Sequence, residues 1–232
     1  MNGTLYLIPV PIAEDEGQTS TPEVLRVSSR LQYYVVENAR TARRTLRAWH
    51  PKLVLETIEM LEIDKHNGAD IAKLLRWLRA GHDVGLMSES GCPAVADPGT
   101  EIVVAAQAAG ARVRPLSGPS SILLALMASG LGGQSFAFWG YLPIKEPARG
   151  KRISELEALS RKEGQTQIFI ETPYRNATLL ADLMKQCAPT TRICIAQQLS
   201  GPEEQVMTKT VAQWRKSSFT PERAPAVFLL LA

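Results

Sequence analysis

Three glutamates, Glu37, Glu89 and Glu171, stand just after short apolar runs of the sequence. A carboxylate within hydrogen-bond reach can accept a proton from a hydroxyl group, so these side chains are candidate general bases. Each of them could equally anchor a loop, by capping a helix N-terminus or by pairing with Arg40 or Arg175. Arg175 could in turn bind a phosphate group or only orient Glu171.

The segment from 88 to 99 reads SESGCPAVADPG, with two glycines and two prolines after an apolar run. Gly91 permits a positive φ or a close backbone approach, and Pro93 and Pro98 stiffen the loop. Such a loop can bind an adenine edge or a ribose through its backbone N–H and C=O groups. The alternative is a structural turn in which Asp97 caps the next helix.

Positive charge is concentrated in two clusters. The first is Arg40, Arg43, Arg44 and Arg47, and the second is Lys145, Arg149, Lys151 and Arg152. The first cluster has the spacing i, i+3, i+4, i+7, which makes one stripe on a helix beginning near Thr41, with Arg40 there or in the preceding loop. Like charges at this spacing repel, and a phosphate backbone would relieve the repulsion. The alternative for both clusters is a solvated charged face.

The elements that must position these residues alternate between strand and helix. Predicted strands are 5–8, 33–36, 54–58, 84–87, 113–116, 136–139, 167–170, 192–196 and 226–231, and predicted helices are 69–80, 101–109, 153–160 and 176–186. This order predicts an α/β fold with an open parallel sheet, whose ligand crevice lies at the carboxyl ends of the strands. The loops after Ile8, Val36, Met87 and Leu116 fall there. The pattern restarts in the second half, which predicts domains at 1–116 and 117–232.

The composition narrows the class of protein. The chain has 232 residues, 45% hydrophobic and 21% charged, as in a globular protein with a substantial core. A net charge of +3 does not by itself identify a nucleic-acid binder. Three cysteines and three scattered histidines predict reduced thiols and no metal site. Neither a signal peptide nor an apolar run of about 20 residues is present, which predicts a cytoplasmic protein and no membrane partner.

The usual glycine-rich nucleotide motifs are absent, because GLGG at 130–133 has the wrong spacing for a dinucleotide fingerprint. Six segments in order carry a different resemblance. They are YLIPVPI at 6–12, ENARTARR at 37–44, SESGCPAVADPG at 88–99, LSGPSS at 116–121, FWGYLP at 138–143 and ETPYR at 171–175. Together they resemble the tetrapyrrole methylases, specifically the bacterial branch that methylates a ribose 2′-hydroxyl of 16S ribosomal RNA.

The resemblance implies two α/β domains with S-adenosyl-L-methionine in the cleft between them, and a homodimer. It implies cofactor contacts from Pro9, Pro11, Ile12, Ser88, Glu89, Ser90, Gly91, Pro93, Ser117, Gly118, Ser120, Ser121, Glu171, Thr172, Ala196 and Gln197. Methyl transfer is an in-line displacement, so the protein mainly aligns the reacting atoms. Glu171 and Glu37 lie in matched motifs, which favours them over Glu89 as the base, with Arg175 beside Glu171.

Departures from the family pattern leave the substrate open. Asn38 and Ala39 replace an Asp-Thr pair, Glu89 replaces an Asp, Glu14 and Asp15 fall in a changed stretch after the opening motif, and Gln197 stands where the branch has Arg. Ribosomal RNA or the small ribosomal subunit is the expected partner, bound by the two basic clusters and by stacking on Trp139 or Tyr141. The alternatives are a methyltransferase acting on a tetrapyrrole or another small molecule, and a cofactor-binding protein with little catalysis.

Overall fold

The computed structural model describes residues 2–13, 20–64 and 67–232. It divides into two compact units, Met1–Ser120 and Ser121–Ala232. Glu14 and Asp15, where the sequence departs from the family's opening motif, lie outside the described residues.

The first unit is built on a five-stranded sheet in the order β3-β2-β4-β1-β5. Its strands are β1 (Thr4–Leu7), β2 (Tyr33–Val36), β3 (Glu59–Glu62), β4 (Val84–Met87) and β5 (Arg112–Pro115), and its helices are α1 (Pro22–Ser28), α2 (Ala39–Trp49), α3 (Ile71–Arg79) and α4 (Thr100–Ala108). Every pairing is parallel, as the alternation of strands and helices predicts. The carboxyl ends of β2, β4, β1 and β5 therefore lie side by side along one edge.

Both faces of this sheet are buried, which explains why its strands read as continuous apolar runs. Tyr34 and Val36 belong to one core cluster with Leu46 of α2, whereas Val35 packs into a second cluster with Leu78 of α3. Successive side chains of a strand point to opposite faces, so one short run serves both clusters.

The second unit has a mixed sheet in the order β6-β7-β10-β8-β9. Its strands are β6 (Phe136–Tyr141), β7 (Thr166–Glu171), β8 (Arg192–Gln197), β9 (Gln205–Thr210) and β10 (Ala226–Leu231), and its helices are α5 (Ser121–Ser129), α6 (Ala148–Glu163), α7 (Asn176–Gln186) and α8 (Val211–Trp214). Only β6 and β7 pair in parallel, and the other pairs are antiparallel. The sheet is therefore not the parallel one that the sequence predicts for the second half, because β10 enters between β7 and β8 in the opposite direction.

Two of the predicted segments differ from the structure in type or by more than two residues in extent. The predicted strand at 54–58 is wrong, since Leu55–Thr57 forms a 3₁₀ helix and the strand is Glu59–Glu62, an edge strand with charged ends. Apolar runs mark buried strands, so a half-exposed edge strand escapes that pattern. Helix α6 begins at Ala148, five residues before the predicted start, and so carries three of the basic residues of the second cluster.

Candidate cofactor and nucleic-acid sites

Three loops of the first unit meet beyond the carboxyl ends of its strands. The loop after β1 pairs with the loop after β4, where the Val10 N–H donates to the Gly91 carbonyl at 2.9 Å and the Gly91 N–H returns a bond to Val10 at 3.2 Å. The thiol of Cys92 donates to the carbonyl of Pro119 at 3.2 Å. The loop after β5 is thereby joined to the same place, so segments that are far apart in the sequence form one surface.

Glycine is required at two positions of this surface. A Cβ added at Gly118 would lie 2.1 Å from the Cβ of Pro9, so any side chain there must displace the proline. Gly91 has a φ of +73°, and a Cβ there would also lie 3.4 Å from Ile12. Because these two glycines have no side chain, the loops approach each other closely. The groups that could hold a ligand at the loop edges are therefore peptide N–H and C=O groups.

A cavity of about 400 Å³ opens beside these loops, within the volume range of small-molecule sites. The predicted cofactor residues that line it are Pro11, Ile12, Glu89 and Ser90. Its opposite wall belongs to α2 and includes Arg44 and Trp49. The remaining predicted residues of this unit lie around it in the loops, with Pro9, Ser88 and Pro93 buried, Ser117 and Gly118 exposed, and Ser120 half-buried.

Three carboxylates gather in the loops after β2 and β4. The Glu37 carboxylate accepts the Glu89 N–H at 3.0 Å, and Glu89 accepts the Thr41 hydroxyl at 2.9 Å. Burial and the neighbouring charges of Glu37 and Glu89 raise the pKa of Asp97 to about 6, although a hydrogen bond with Ser88 opposes the shift. A carboxyl group in these surroundings can exchange a proton near neutral pH.

Asp97 is the functional candidate that sequence reasoning missed. We considered it only as a helix cap, yet the N-cap of α4 is Gly99, and no side chain caps this helix end. The sequence signal that could have indicated Asp97 is its place in a stiff loop after a buried strand. Two other acidic residues, Glu37 and Glu89, also follow strands of this sheet. Only the strand order β2-β4 brings these loops together.

Glu171 in the second unit has different surroundings. Its side chain is 1% exposed, and its Oε1 accepts bonds from Nε of Arg175 at 2.9 Å and from the Thr172 N–H at 2.6 Å. Burial by itself would raise the pKa of the Glu171 carboxyl, but the bonds from Arg175 and Thr172 outweigh it and lower the pKa. These contacts favour the loop-anchoring role for Glu171, with Arg175 holding it in place.

The other predicted cofactor segment of this unit lies near Glu171 in the sheet. Ala226 of β10 is paired with Glu171 on one side and with Gln197 on the other. The buried Gln197 amide donates to the Glu222 carbonyl at 3.0 Å and accepts the Glu222 N–H at 3.2 Å. The side chain of Gln197 thus holds a loop, and both Ala196 and Gln197 are paired with neighbouring strands on either side. Ser121 is half-buried at the start of α5.

Helix α2 carries the first basic cluster. Its N-cap is Asn38, whose side-chain oxygen accepts the backbone N–H groups of Arg40 at 3.0 Å and Thr41 at 3.2 Å. Arg40 is therefore inside the helix, and the departure at Asn38 retains a good capping residue. The exposed side chains of the four arginines line one groove of about 620 Å³, which is closed by Leu55, Glu56 and Ile58.

The electrostatics of α2 are unfavourable for the helix by itself. Arg40 lies in the first turn, at the positive end of the helix dipole, and that turn has no acidic residue. Within residues 2–13, 20–64 and 67–232, no ion pair involves Arg40, Arg43, Arg44 or Arg47. Four uncompensated guanidinium groups along one groove form a surface that attracts an anion.

The second basic cluster is not a single surface, and one of its members was assigned wrongly. Arg149 is buried, pairs with Asp182 at 2.5 Å and donates to the Ile144 carbonyl at 2.6 Å, so its charge is satisfied inside the unit. Its position on the first turn of α6, facing α7, explains this burial, and no sequence pattern indicated it. Lys145 and Lys151 are exposed, and Arg152 lies 4.5 Å from the ring centre of Trp139.

The described ranges contain neither a metal-ligand cluster nor a membrane-spanning helix. No group of three or more His, Cys, Asp or Glu residues could hold a metal ion there. Among the helices formed by these residues, none is both long and apolar enough to span a membrane.

The fold and the loops at the strand ends define a two-unit α/β protein with a small-molecule cavity and a cationic groove. The sequence matches the family of Tetrapyrrole (Corrin/Porphyrin) Methylases over residues 22–214, and the chain belongs to this family. It is 30% identical to the Ribosomal RNA small subunit methyltransferase I of Pseudomonas aeruginosa over 98% of this chain and 78% of that protein. The protein of the same description from Vibrio cholerae is 31% identical over 90% of this chain and 69% of its own length.

A solved structure shares the fold at lower sequence identity. The uroporphyrin-III C-methyl transferase of Thermus thermophilus, complexed with S-adenyl homocysteine, superposes with a TM-score of 0.57 at 19% identity. The match covers 99% of this chain and 97% of the Thermus chain. The family resemblance carried by the six segments is thus confirmed, as is the expectation of two α/β domains.

Proposed function

We propose that this protein is an S-adenosylmethionine-dependent methyltransferase that modifies a ribose 2′-hydroxyl of small-subunit ribosomal RNA. The observation that carries the proposal is the meeting of three loops, Pro9–Ile12, Ser88–Gly91 and Gly118–Pro119, beside a helix lined with free arginines. Family membership and the relatives described as ribosomal RNA small subunit methyltransferases support it. An RNA substrate of this kind implies a cytoplasmic enzyme.

The chain offers S-adenosylmethionine backbone groups rather than charged side chains. When bound, this cofactor supplies an electrophilic methyl group. The close approach of Gly118 to Pro9 and the positive φ of Gly91 expose peptide edges that would hold an adenine or a ribose by N–H and C=O groups.

The proton of the attacking hydroxyl needs an acceptor, and we assign it to the carboxylates after β2 and β4. The sequence favours Glu37, and the pKa of its neighbour Asp97 is raised to about 6. A base whose pKa approaches the working pH is both ionised and strong enough to take a proton. Glu171 and Arg175 are assigned a positioning role, because their charges satisfy each other.

The groove along α2 is assigned to the RNA backbone. Arg40, Arg43, Arg44 and Arg47 project into it without carboxylate partners among the described residues. Guanidinium groups bind phosphate oxygens with paired donors, whatever the base sequence. The exposed Lys145, Lys151 and half-buried Arg152 of the second unit are proposed as additional phosphate contacts, and Arg149 is excluded by its burial.

The test of this proposal is transfer of a labelled methyl group from S-adenosylmethionine to RNA of the small ribosomal subunit. We expect incorporation that resists alkaline cleavage at the modified nucleotide, because a 2′-O-methyl group removes the attacking hydroxyl. The Gly118→Ala variant should lose most cofactor affinity in calorimetry, whereas Gly132→Ala, at a glycine with open space around its Cβ position, should bind normally.

Thermal unfolding of both glycine variants separates a lost site from a lost fold. Cofactor binding without transfer to any ribosomal RNA preparation would contradict the proposed substrate, and transfer to a porphyrinoid acceptor would replace it.

We also propose that the enzyme works as a homodimer. Helix α5 is rich in apolar residues, and its Leu123 and Met127 are 50% and 79% exposed. A second copy of the chain is the occupant that the family resemblance favours for this face. Light scattering with size separation should give twice the chain mass of 25.4 kDa, and a monomeric mass at all concentrations would contradict the assignment.

A further inference from the structure

Two exposed tyrosines lie near one arginine at the carboxyl ends of β6 and β7. Tyr141 ends β6 and is 59% exposed, and Tyr174, in the short 3₁₀ helix Pro173–Arg175 after β7, is 65% exposed. The Arg175 guanidinium lies 5.0 Å from the ring centre of Tyr174. Nothing in the described second unit covers these two rings, so a ligand or a partner would be needed to bury them.

The backbone of β6 is shaped to place Tyr141. Phe138 is paired with Ile168 and Tyr141 with Ile170, so three steps along β6 match two along β7. The extra residue forms a bulge, and Gly140 within it has a φ of +63°. Since side chains alternate along a strand, the bulge moves Tyr141 to the face that Phe138 occupies. The bulge therefore does more than end the strand, because it changes the face to which Tyr141 points.

The guanidinium of Arg175 is held in a fixed plane. Two of its nitrogens donate to Glu171, at 2.9 and 2.6 Å, and the third donates to the Tyr174 hydroxyl at 3.0 Å. The Glu171 carboxylate raises the pKa of Arg175. Tyr141 is paired with Ile170, the residue before Glu171, so it lies at the same end of the sheet. With its charge compensated by Glu171 and three of its five N–H groups donating, Arg175 presents a flat surface with less free charge than an unpaired cation.

Trp139 differs from these tyrosines, although it precedes Tyr141 by only two residues. Its indole N–H donates to the buried Gln167 side chain at 2.6 Å, and Arg152 lies over its ring at 4.5 Å. The hydrogen bond to Gln167 and the contact with Arg152 thus hold the indole ring against its own unit. Of the two aromatic residues that the sequence suggested for stacking, Tyr141 is the one that the structure leaves open.

We propose that Tyr141 and Tyr174, beside the fixed guanidinium of Arg175, form a stacking surface for an unpaired nucleobase of the RNA substrate. Flat aromatic rings and a guanidinium plane bind the face of a base, and this contact does not require a free charge. A phosphate group would instead favour an uncompensated cation, whereas the charge of Arg175 is paired with Glu171. The inference rests on the proposed RNA substrate and adds how one of its unpaired bases is recognised.

The experiment compares two probes of equal charge by fluorescence anisotropy. One is a labelled single-stranded RNA of mixed sequence, and the other has the same number of phosphates with every base replaced by an abasic spacer. Tyr174→Ala and Tyr141→Ala should each weaken binding of the base-containing RNA about 5- to 30-fold, as expected for loss of one stacking contact. Neither should change affinity for the abasic probe. Tyr174→Phe should restore RNA binding, and Phe136→Ala, at the opposite end of β6, should leave it unchanged.

Salt titration distinguishes stacking from charge. Loss of a stacking tyrosine should lower affinity by the same factor at every salt concentration, whereas Arg44→Ala should reduce the slope of log affinity against log salt by roughly 0.7. Equal losses on both probes, or no loss in either tyrosine variant while the unaltered protein binds and methylates RNA, would overturn the stacking surface alone. Failure of the unaltered protein to bind or methylate RNA would overturn the proposed function together with it.

Discussion

Asp97 lies in the loop after β4 of the first unit and Glu171 ends β7 of the second unit, but their carboxylates have opposite surroundings. Glu171 is enclosed and receives two bonds from Arg175, so its pKa is lowered and it stays charged. Asp97 faces Glu37 and Glu89, and burial with this repulsion raises its pKa to about 6. The same functional group therefore serves as an anchor in one unit and can serve as a proton acceptor in the other.

The difference shows why a motif match alone does not distinguish an anchoring carboxylate from a proton acceptor. Glu171 stands in the segment ETPYR, and the match of this segment to the family favours Glu171 as a base. Its partner Arg175, four residues later, instead converts it into a structural element that orients Thr172 and Tyr174. Asp97 has no cationic partner among the described residues, so its proton affinity remains available.

The largest expected effect is on catalysis by Asp97→Asn. If the carboxylates near Asp97 accept the hydroxyl proton, this variant should transfer methyl groups about 100-fold or more slowly, with cofactor binding retained. The unaltered enzyme should gain activity as pH rises through about 6, and the variant should lose that dependence. Initial rates across pH measure both, and Glu203→Gln, an exposed carboxylate of the second unit, provides the control. A larger loss in Glu171→Gln than in Asp97→Asn, at equal stability, would reverse the assignment.

A smaller effect is expected on stability from Glu171→Gln. The substitution removes charge-assisted bonds from Arg175 and Thr172 at a buried site, which should cost about 1.5–3 kcal/mol of unfolding free energy. Chemical denaturation with urea measures the loss. Glu155→Gln removes an exposed pair with Arg152 and should cost less than about 1 kcal/mol. Similar costs for the two variants would show that Glu171 is not the anchor described above.

The smallest effect is an opposite pH dependence of stability at the two sites. The folded-state pKa of Asp97 lies above its ordinary value of 3.8, so the unfolded chain releases its proton first and stability falls as pH rises from about 4 to 6. The Asp97→Asn variant should therefore be more stable than the unaltered protein at pH 7, by an amount on the order of 1 kcal/mol after solvent screening. The two should converge near pH 4.

At Glu171 the sign is reversed. Its folded-state pKa lies below the ordinary value of 4.5, so its stabilisation is complete above that pH and is lost as pH falls further. Thermal unfolding of both variants between pH 3 and 8 would measure the contrast. Parallel curves for the two variants would mean that the carboxylates share one environment.

The sequence by itself determined the local structure and the family. Buried strands such as 33–36 and 84–87 are continuous apolar runs, and the helix at 176–186 has the predicted bounds, because burial on both sheet faces and helical periodicity leave direct marks in the sequence. Gly91 likewise marked a place of positive φ or close backbone approach, and the six ordered segments predicted the fold.

Tertiary structure alone decided which charges are free. Arg149 and Arg44 look alike in the sequence, yet one is paired with Asp182 inside its unit and the other lines a groove. The sequence suggests Asp97 as a cap and Glu171 as a base. The surroundings of Asp97 depend on Glu37 and Glu89, which are remote or on the same loop, and those of Glu171 depend on Arg175, four residues later. Charge and proton affinity depend on distance and burial in three dimensions, which no one-dimensional pattern specifies.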